Sequence, residues 1–237
     1  MSTVPKIQAF APEVLEQLRA IDSCTVSNAI ERLNIRLRNE GFADSSVRCL
    51  SPALPPMVGY AVPGRIRTSE APTTRHWYYR SMDWWHYILT IPAPRVIVMQ
   101  DVDERPGLGA LFGEIHAQIG RALDCAGYVT NGTVRDLQGL ARAHQHIFAA
   151  GVAVSHAYAH VVDFGEPVEV GGMTVRPGDL LHGDLNGVLS VPAMAAARIP
   201  KMAAEVMAEE RDLLQLCQAP EFTLEKLRAH IDEIGRA

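Results

Sequence analysis

Residues 131–136, Asn131-Gly132-Thr133-Val134-Arg135-Asp136, set a cation and an anion side by side at the end of an apolar run. A guanidinium offers a planar fork that matches a carboxylate. An adjacent carboxylate can hold a hard divalent ion such as Mg²⁺. Together they could grip a small oxo acid through both its negative charge and its carbonyl. The plainer reading of the same two residues is a solvated Arg-Asp pair in a surface loop. What must position them is the run before, Ala126-Gly127-Tyr128-Val129-Thr130, which reads as a short buried strand. Asn131-Gly132 then reads as a tight turn, because both residue types tolerate positive φ.

The rest of the composition narrows the chemistry. The chain has 237 residues, 48% hydrophobic and 21% charged, with a formal net charge of -5. That is globular, large enough for a sizeable core, and carries no basic field for nucleic acid. Cys24, Cys49, Cys125 and Cys217 are far apart with no CxxC pair, as expected of free thiols in a reducing compartment. Met1 to Phe10 has no signal-like apolar core, and no run approaches the roughly 20 apolar residues that cross a bilayer. These features predict a cytoplasmic protein with no membrane and no nucleic-acid partner. Lysine occurs only at positions 6, 201 and 226. A Schiff-base mechanism needs a desolvated lysine, and the candidate segment has none, so carbonyl chemistry here calls for a metal unless a terminal lysine folds back.

Around that segment the pattern alternates. Arg95 to Asp101 is an apolar strand of the kind covered on both faces. Leu111 to Cys125 reads as a helix with Glu114 in its first turn, and Leu137 to Ala143 as a shorter one. Strand, helix, strand, helix is an α/β signature. Pro12 to about Arg38 reads as two helical pieces, with Thr25 or Ser27 as the second cap. Residues 50–66 read as a loop around a short strand at 58–62. Trp77, Tyr78, Tyr79, Trp84, Trp85, His86 and Tyr87 fall in a stretch, 68–90, that reads as a ring-packed helix in a core or interface, or alternatively as a lid over a substrate. From Ile147 to Val191 short strands alternate with turns, notably Gly171-Gly172 and Asp184-Leu185-Asn186-Gly187. The tail, Met194 to Leu216 and Leu224 to Ile234, is helical. The simplest organisation is one domain over 1–237, with a core at about 45–192 and helical extensions at 12–38 and 193–235.

Several spaced motifs now agree. Gly113-Glu114, Gly127 with Asn131 to Asp136, Gly171 to Asp179, and Gly183-Asp184-Leu185-Asn186-Gly187-Val188 with Pro192 resemble the RraA-like family. Its enzymes include 4-hydroxy-4-methyl-2-oxoglutarate / 4-carboxy-4-hydroxy-2-oxoadipate aldolases. Thr25-Val26-Ser27-Asn28-Ala29 resembles the family's Thr-x-x-Asp-Ala segment, with Asn28 where an acid is usual. The resemblance spans roughly residues 12–212 and leaves the aromatic block unmatched.

The resemblance implies an α/β, three-layer β/β/α fold of the swivelling-domain type, in homotrimers or homohexamers with active sites between subunits. It makes Asp136 the direct ligand of Mg²⁺ or Mn²⁺ and Glu114 an indirect one through water. Arg135 would bind the carboxylate and carbonyl of a small 2-oxo acid, and the backbone N–H groups of Ile115 and His116 would face that carboxylate, as suits a helix N-terminus. A glutamate of a neighbouring C-terminal helix would complete the shell. Glu205, Glu209 and Glu210 are candidates, Glu209 the preferred one. The implied reaction is class II cleavage of a 4-hydroxy-2-oxo diacid to pyruvate through an enolate, with oxaloacetate decarboxylation as a side activity. Two rivals stand beside it: a protein-binding regulator of ribonuclease E, which the family also contains, and a metal-dependent lyase or decarboxylase acting on a bulkier substrate. His144, His146, His156 and His160 could suggest a histidine metal site, but an i, i+4 pair in a strand-rich region does not put both rings on one face.

Overall fold

The computed structural model describes residues 7, 9–73 and 82–234. Two short helices open it, α1 (Pro12–Arg19) and α2 (Ser23–Arg32). The cap of α2 is Asp22, whose carboxylate accepts from the backbone N–H and hydroxyl of Thr25. Thr25 and Ser27 therefore lie inside the helix; an aspartate upstream supplies a stronger acceptor.

A two-residue strand β1 (Arg48–Cys49) precedes β2 (Met57–Arg67), whose 11 residues run well past the expected 58–62. Helix α3 (Met82–Ile88) carries Trp84, Trp85 and Tyr87, all buried. Trp77, Tyr78 and Tyr79 lie outside the described residues. There follow β3 (Arg95–Asp101), α4 (Glu114–Ala122), β4 (Cys125–Thr130), β5 (Thr133–Val134), α5 (Leu137–Arg142), β6 (His146–Ala149) and β7 (Gly151–Val152). Helix α4 is shorter than the expected 111–125. Gly113 starts it, and Asp124, in the left-handed region at φ 53°, ends the turn after it, so Cys125 begins a strand. Next come β8 (His160–Phe164), the hairpin β9 (Val168–Val170) and β10 (Met173–Val175), and the hairpin β11 (Leu180–Asp184) and β12 (Gly187–Val191). Strand β11 lies between two turn signals that hide its short apolar run. Gly171 and Gly172, at φ 56° and 71°, form the two-residue link of the first hairpin, the one conformation there that disfavours any side chain. Long α6 (Ile199–Gln218) and α7 (Leu224–Ile234) close the chain.

The main sheet runs β1-β6-β4-β3-β2-β11-β12. β2, β3, β4 and β6 are parallel, joined through α3, α4 and α5 in turn. The length of β2 lets it pair with β11 over its first residues and with β8 over its last. Alternation sorts side chains to two faces. Tyr60, Val62, Ile97, Met99, Tyr128 and Ile147 pack with the helices. Met57, Ala61, Val96, Val98, Val129 and Phe148 pack with Val168, Val170, Met173 and Val175 of the small hairpin. The result is helices, main sheet, small sheet: three layers, with helices at both ends of the chain. Each apolar side chain so buried contributes about 1.5–3 kcal/mol, which fixes the sheet and with it the strand ends that carry the candidate site. Helix α6 lies against α2, joined by an Arg32–Glu209 ion pair at 2.6 Å and an Asn28 Nδ2 to Glu210 Oε1 hydrogen bond at 3.2 Å. Among the described residues, no helix is long and apolar enough to cross a membrane.

Candidate active site

The site begins where the parallel strands end. The Asn131 side chain bridges β3 and β4: its Oδ1 accepts from Asp101 N at 2.7 Å and its Nδ2 donates to Asp101 O at 3.0 Å. Neither Asn131 nor Gly132 has positive φ, so the expected tight turn is replaced by a side-chain clamp. Gly132 is needed for closeness instead, since a Cβ there would lie 3.2 Å from Asp101 Cβ. Strand β5 then pairs with β7 on one side, and Arg135 N donates to Phe112 O at 3.0 Å on the other. The left-handed residue is Asp136, at φ 58°, ψ 54°. An aspartate tolerates this region better than most side chains do. The corner turns the chain out of β5 into α5.

Arg135 crosses the start of α4. A Cβ on Gly113 would come within 3.1 Å of Arg135 Cγ. The guanidinium ends against His156, with Nη1 3.1 Å from Nδ1 and 2.9 Å from Nε2. Nη1 is within hydrogen-bond reach of both nitrogens, so whichever one carries the lone pair can accept from it. Burial, then the charge of Arg135, hold His156 below its ordinary pKa, so a neutral ring faces the cation. Arg135 Nε is buried with no acceptor among the described residues. The backbone of His156 is fixed too: Gly109 packs so closely that a Cβ would sit 2.3 Å from His156 O, and Ala157 is left-handed at φ 47°.

The two candidate acids meet over Gly139. A methyl on this glycine would lie 2.7 Å from Asp136 Oδ2, 2.8 Å from Glu114 Oε2 and 2.5 Å from Glu114 Cβ. The two oxygens are therefore no more than about 5.5 Å apart, the sum of the first two distances. Glu114 is held in place by a two-pronged pair with Arg142, at 3.1 Å from Nε and 2.8 Å from Nη2. Asp136, Gly139 and Arg142 recur at helical spacing, so one face of α5 carries an acid, a gap and a base against α4. Asp136 is exposed and Glu114 half-buried. Another face of α5, with Leu137, Leu140 and Ala141, lines an apolar cavity of about 440 Å³ shared with Leu50 and Leu54.

Of the residues that the sequence singled out, Glu114, Arg135 and Asp136 come together, and Ile115 and His116 sit in the first turn of α4 beside them. The Ile115 side chain points to solvent at 53% exposure. The His116 side chain is buried beside Trp85 and Phe112, at ring-centroid distances of 5.7 and 6.0 Å. Burial first, and His156 second, push its pKa down to about 4. Glu209 lies apart from this group within the chain, paired with Arg32. Gly139 and Arg142 escaped the sequence reading, and His156 entered it only as a possible metal ligand, not as a partner of Arg135. Their signal is spatial: His156 reaches Arg135 from 21 residues away, and Arg142 reaches Glu114 from 28. Among the described residues, no three His, Cys, Asp or Glu side chains converge on one point. Two carboxylate oxygens at this spacing suit a hard cation that takes one direct ligand and fills its remaining positions with water.

The architecture has known counterparts. An uncharacterized protein from Pseudomonas syringae pv. tomato superposes with TM-score 0.73 at 22% identity, over 97% of this chain and 99% of that one. RraAS2 of Streptomyces coelicolor, described as an unusual member of the RNase ES inhibitor RraA protein family, superposes with TM-score 0.67 at 20% identity, over 86% and 96%. In sequence, the chain is 28% identical over 123 residues to a protein of Halalkalibacterium halodurans provisionally named 4-hydroxy-4-methyl-2-oxoglutarate aldolase. That match covers 50% of this chain and 59% of the relative, and the chain spans less than two thirds of the curated relatives it matches. The family model RraA-like (Aldolase/RraA) matches residues 23–190, so the chain belongs to the RraA-like family.

Proposed function

We propose that the chain is a divalent-metal-dependent carbon–carbon lyase that releases pyruvate from a 4-hydroxy-2-oxo diacid and decarboxylates oxaloacetate as a side activity. The observation that carries this reading is the convergence at Gly139: two carboxylate oxygens within about 5.5 Å, one residue from a guanidinium that rests against a neutral ring. Support also comes from the aldolase name of the H. halodurans relative. Asp136 would hold Mg²⁺ or Mn²⁺ directly and Glu114 through water. The bound ion would supply electrophilic charge beside the substrate carbonyl.

The chain's own residues divide the remaining work. Arg135 binds the 2-oxo acid through its carboxylate and carbonyl oxygens, and the N–H groups of Ile115 and His116 face the same carboxylate. When the bond between C3 and C4 breaks, its electron pair becomes the enolate of pyruvate, and the guanidinium stabilises the charge on the C2 oxygen without reorganising. Glu114, steadied by Arg142, keeps a water in place to take the proton of the 4-hydroxyl and return one to C3. Glu209 of the partner subunit would complete the site in a trimer or hexamer.

The test is pyruvate release from oxaloacetate and from a set of 4-hydroxy-2-oxo diacids, with and without EDTA. Activity is expected to vanish on chelation, to return with Mg²⁺ or Mn²⁺, and to fall by about 10²–10³-fold in Asp136→Asn. Undiminished turnover after both treatments would end the proposal. The likeness to Streptomyces RraAS2 favours a second reading, a protein-binding regulator of a ribonuclease. Capture of ribonuclease E by a chain that releases no pyruvate would decide for it.

A further inference from the structure

We propose that His156 is a positioning residue for Arg135: its ring fixes the guanidinium so that the remaining nitrogens present undiminished positive charge to a planar 2-oxo carboxylate. The inference rests on the function proposed above. Four observations carry it. Nη1 of Arg135 lies 2.9 and 3.1 Å from the two ring nitrogens of His156, whereas Nε is buried without an acceptor among the described residues. The stem of Arg135 is confined beside Gly113 at the start of α4, where a Cβ would lie 3.1 Å from its Cγ. The backbone behind His156 is pinned by Gly109 and by the left-handed Ala157. And the charge that bears on His156 is the cation Arg135, with the buried ring of His116 as its neighbour.

The choice of partner has a physical consequence. An arginine held by a carboxylate has its charge already compensated, and binding an anion must break or share that pair. An imidazole accepts from the guanidinium but brings no opposing charge while it is neutral. The side chain is thus oriented in advance, and its full attraction is reserved for substrate. Lengthening the contact or removing the ring should leave the charge in place but release its direction.

Oxalate is a suitable probe, because it presents the same planar pair of oxygens as a 2-oxo acid. Its binding would be measured by calorimetry in the presence of Mg²⁺ to the native protein and to Arg135→Ala, His156→Ala and His156→Gln, each with its melting temperature. Arg135→Ala should abolish binding. His156→Ala should weaken it about tenfold to a hundredfold, the value of a lost hydrogen bond to a charged group. The KM for oxaloacetate should rise in parallel, and kcat should change much less. His156→Gln, which keeps a neutral acceptor, should recover most of the loss, and it carries the test alone if the alanine variant does not fold. Native-like oxalate binding by folded His156→Ala and His156→Gln, while Arg135→Ala binds none, would overturn the role of His156. Equal binding by native protein and Arg135→Ala would instead overturn the proposed function, and this inference with it.

Discussion

Gly139→Ala isolates the meeting of the two acids from the stability of the fold. Gly139 sits inside α5 without positive φ, so the backbone accepts alanine, and the helix gains about 1 kcal/mol from it. The new methyl, however, would lie 2.5 Å from Glu114 Cβ and 2.7 Å from Asp136 Oδ2. Ordinary contacts begin near 3.4 Å, so about 1 Å of separation must be found. Overpacking of that kind typically costs about 1–3 kcal/mol. The two effects nearly offset, leaving a net loss of roughly 0–2 kcal/mol. For a chain of this size that lowers the melting temperature by no more than about 8 °C. The site should suffer more, because the methyl wedges between the oxygens that would share one ion. Displacing groups around a metal typically weakens its binding by about 10–100-fold. Mn²⁺ titration followed by electron paramagnetic resonance reads this without reference to turnover. Gly120→Ala in α4 is the control: its methyl meets Cys125 Cβ at 3.5 Å and Ile97 Cδ1 at 3.8 Å, ordinary contacts, so stability should hold or rise and Mn²⁺ affinity stay put. If Gly139→Ala bound Mn²⁺ as the native protein does, the two carboxylates would not be acting as one site.

Other outcomes follow from the same geometry. Arg135→Ala and Asp136→Asn should each lower pyruvate release by about 10²–10³-fold in a coupled dehydrogenase assay. Asn is the cleaner change at 136, because Ala adds roughly 1–2 kcal/mol of left-handed strain, readable as a lower denaturation midpoint than that of Asp136→Asn. Arg142→Gln breaks a pair that is 61% exposed on the arginine side, so urea unfolding should shift by less than about 1 kcal/mol, whereas the KM for divalent ion should rise. His116 should make the protein acid-sensitive. Its folded pKa of about 4 lies below the ordinary 6.5, so the unfolded chain binds the extra proton first. Its contribution is fully present above pH 6.5 and is lost as pH falls toward 4, amounting to roughly 3 kcal/mol. Urea unfolding of native protein and His116→Leu at pH 7, 5.5 and 4 should show the gap between them narrowing in favour of the variant. A gap independent of pH would refute the assignment.

Much of the fold was legible because periodicity is local. The run Arg95 to Asp101, with Val96 to Met99 apolar at every position, reads as a strand covered on both sides, and it is. Gly171-Gly172 names its own turn. The misreadings share one cause, competition from distant partners. Residues 57–67 contain Pro63 and two glycines and look like loop, yet strands from both directions, β3 on one side and β11 and β8 on the other, extend them into the longest strand. Asn131-Gly132 looks like a turn by propensity, but the asparagine amide finds the main chain of Asp101 30 residues away and does something else. At the site, Arg135, Asp136 and Glu114 could be picked out by residue type and motif. Gly139 could not, because nothing in a helical glycine announces that two acids will press against it. His156 could not, because an isolated histidine carries no sign of which cation it will face.

Asp136 has two occupations that cannot be separated. It is the corner at which the chain reverses handedness between β5 and α5, and it is the residue proposed to hold the ion. A position so constrained has few acceptable replacements: asparagine or glycine would keep the corner, and almost anything else would disturb it. A descendant of this chain that gave up its chemistry, but kept its shape, would therefore be expected to drift to one of those two. The loss would leave a readable trace at that one position while the architecture around it stayed the same.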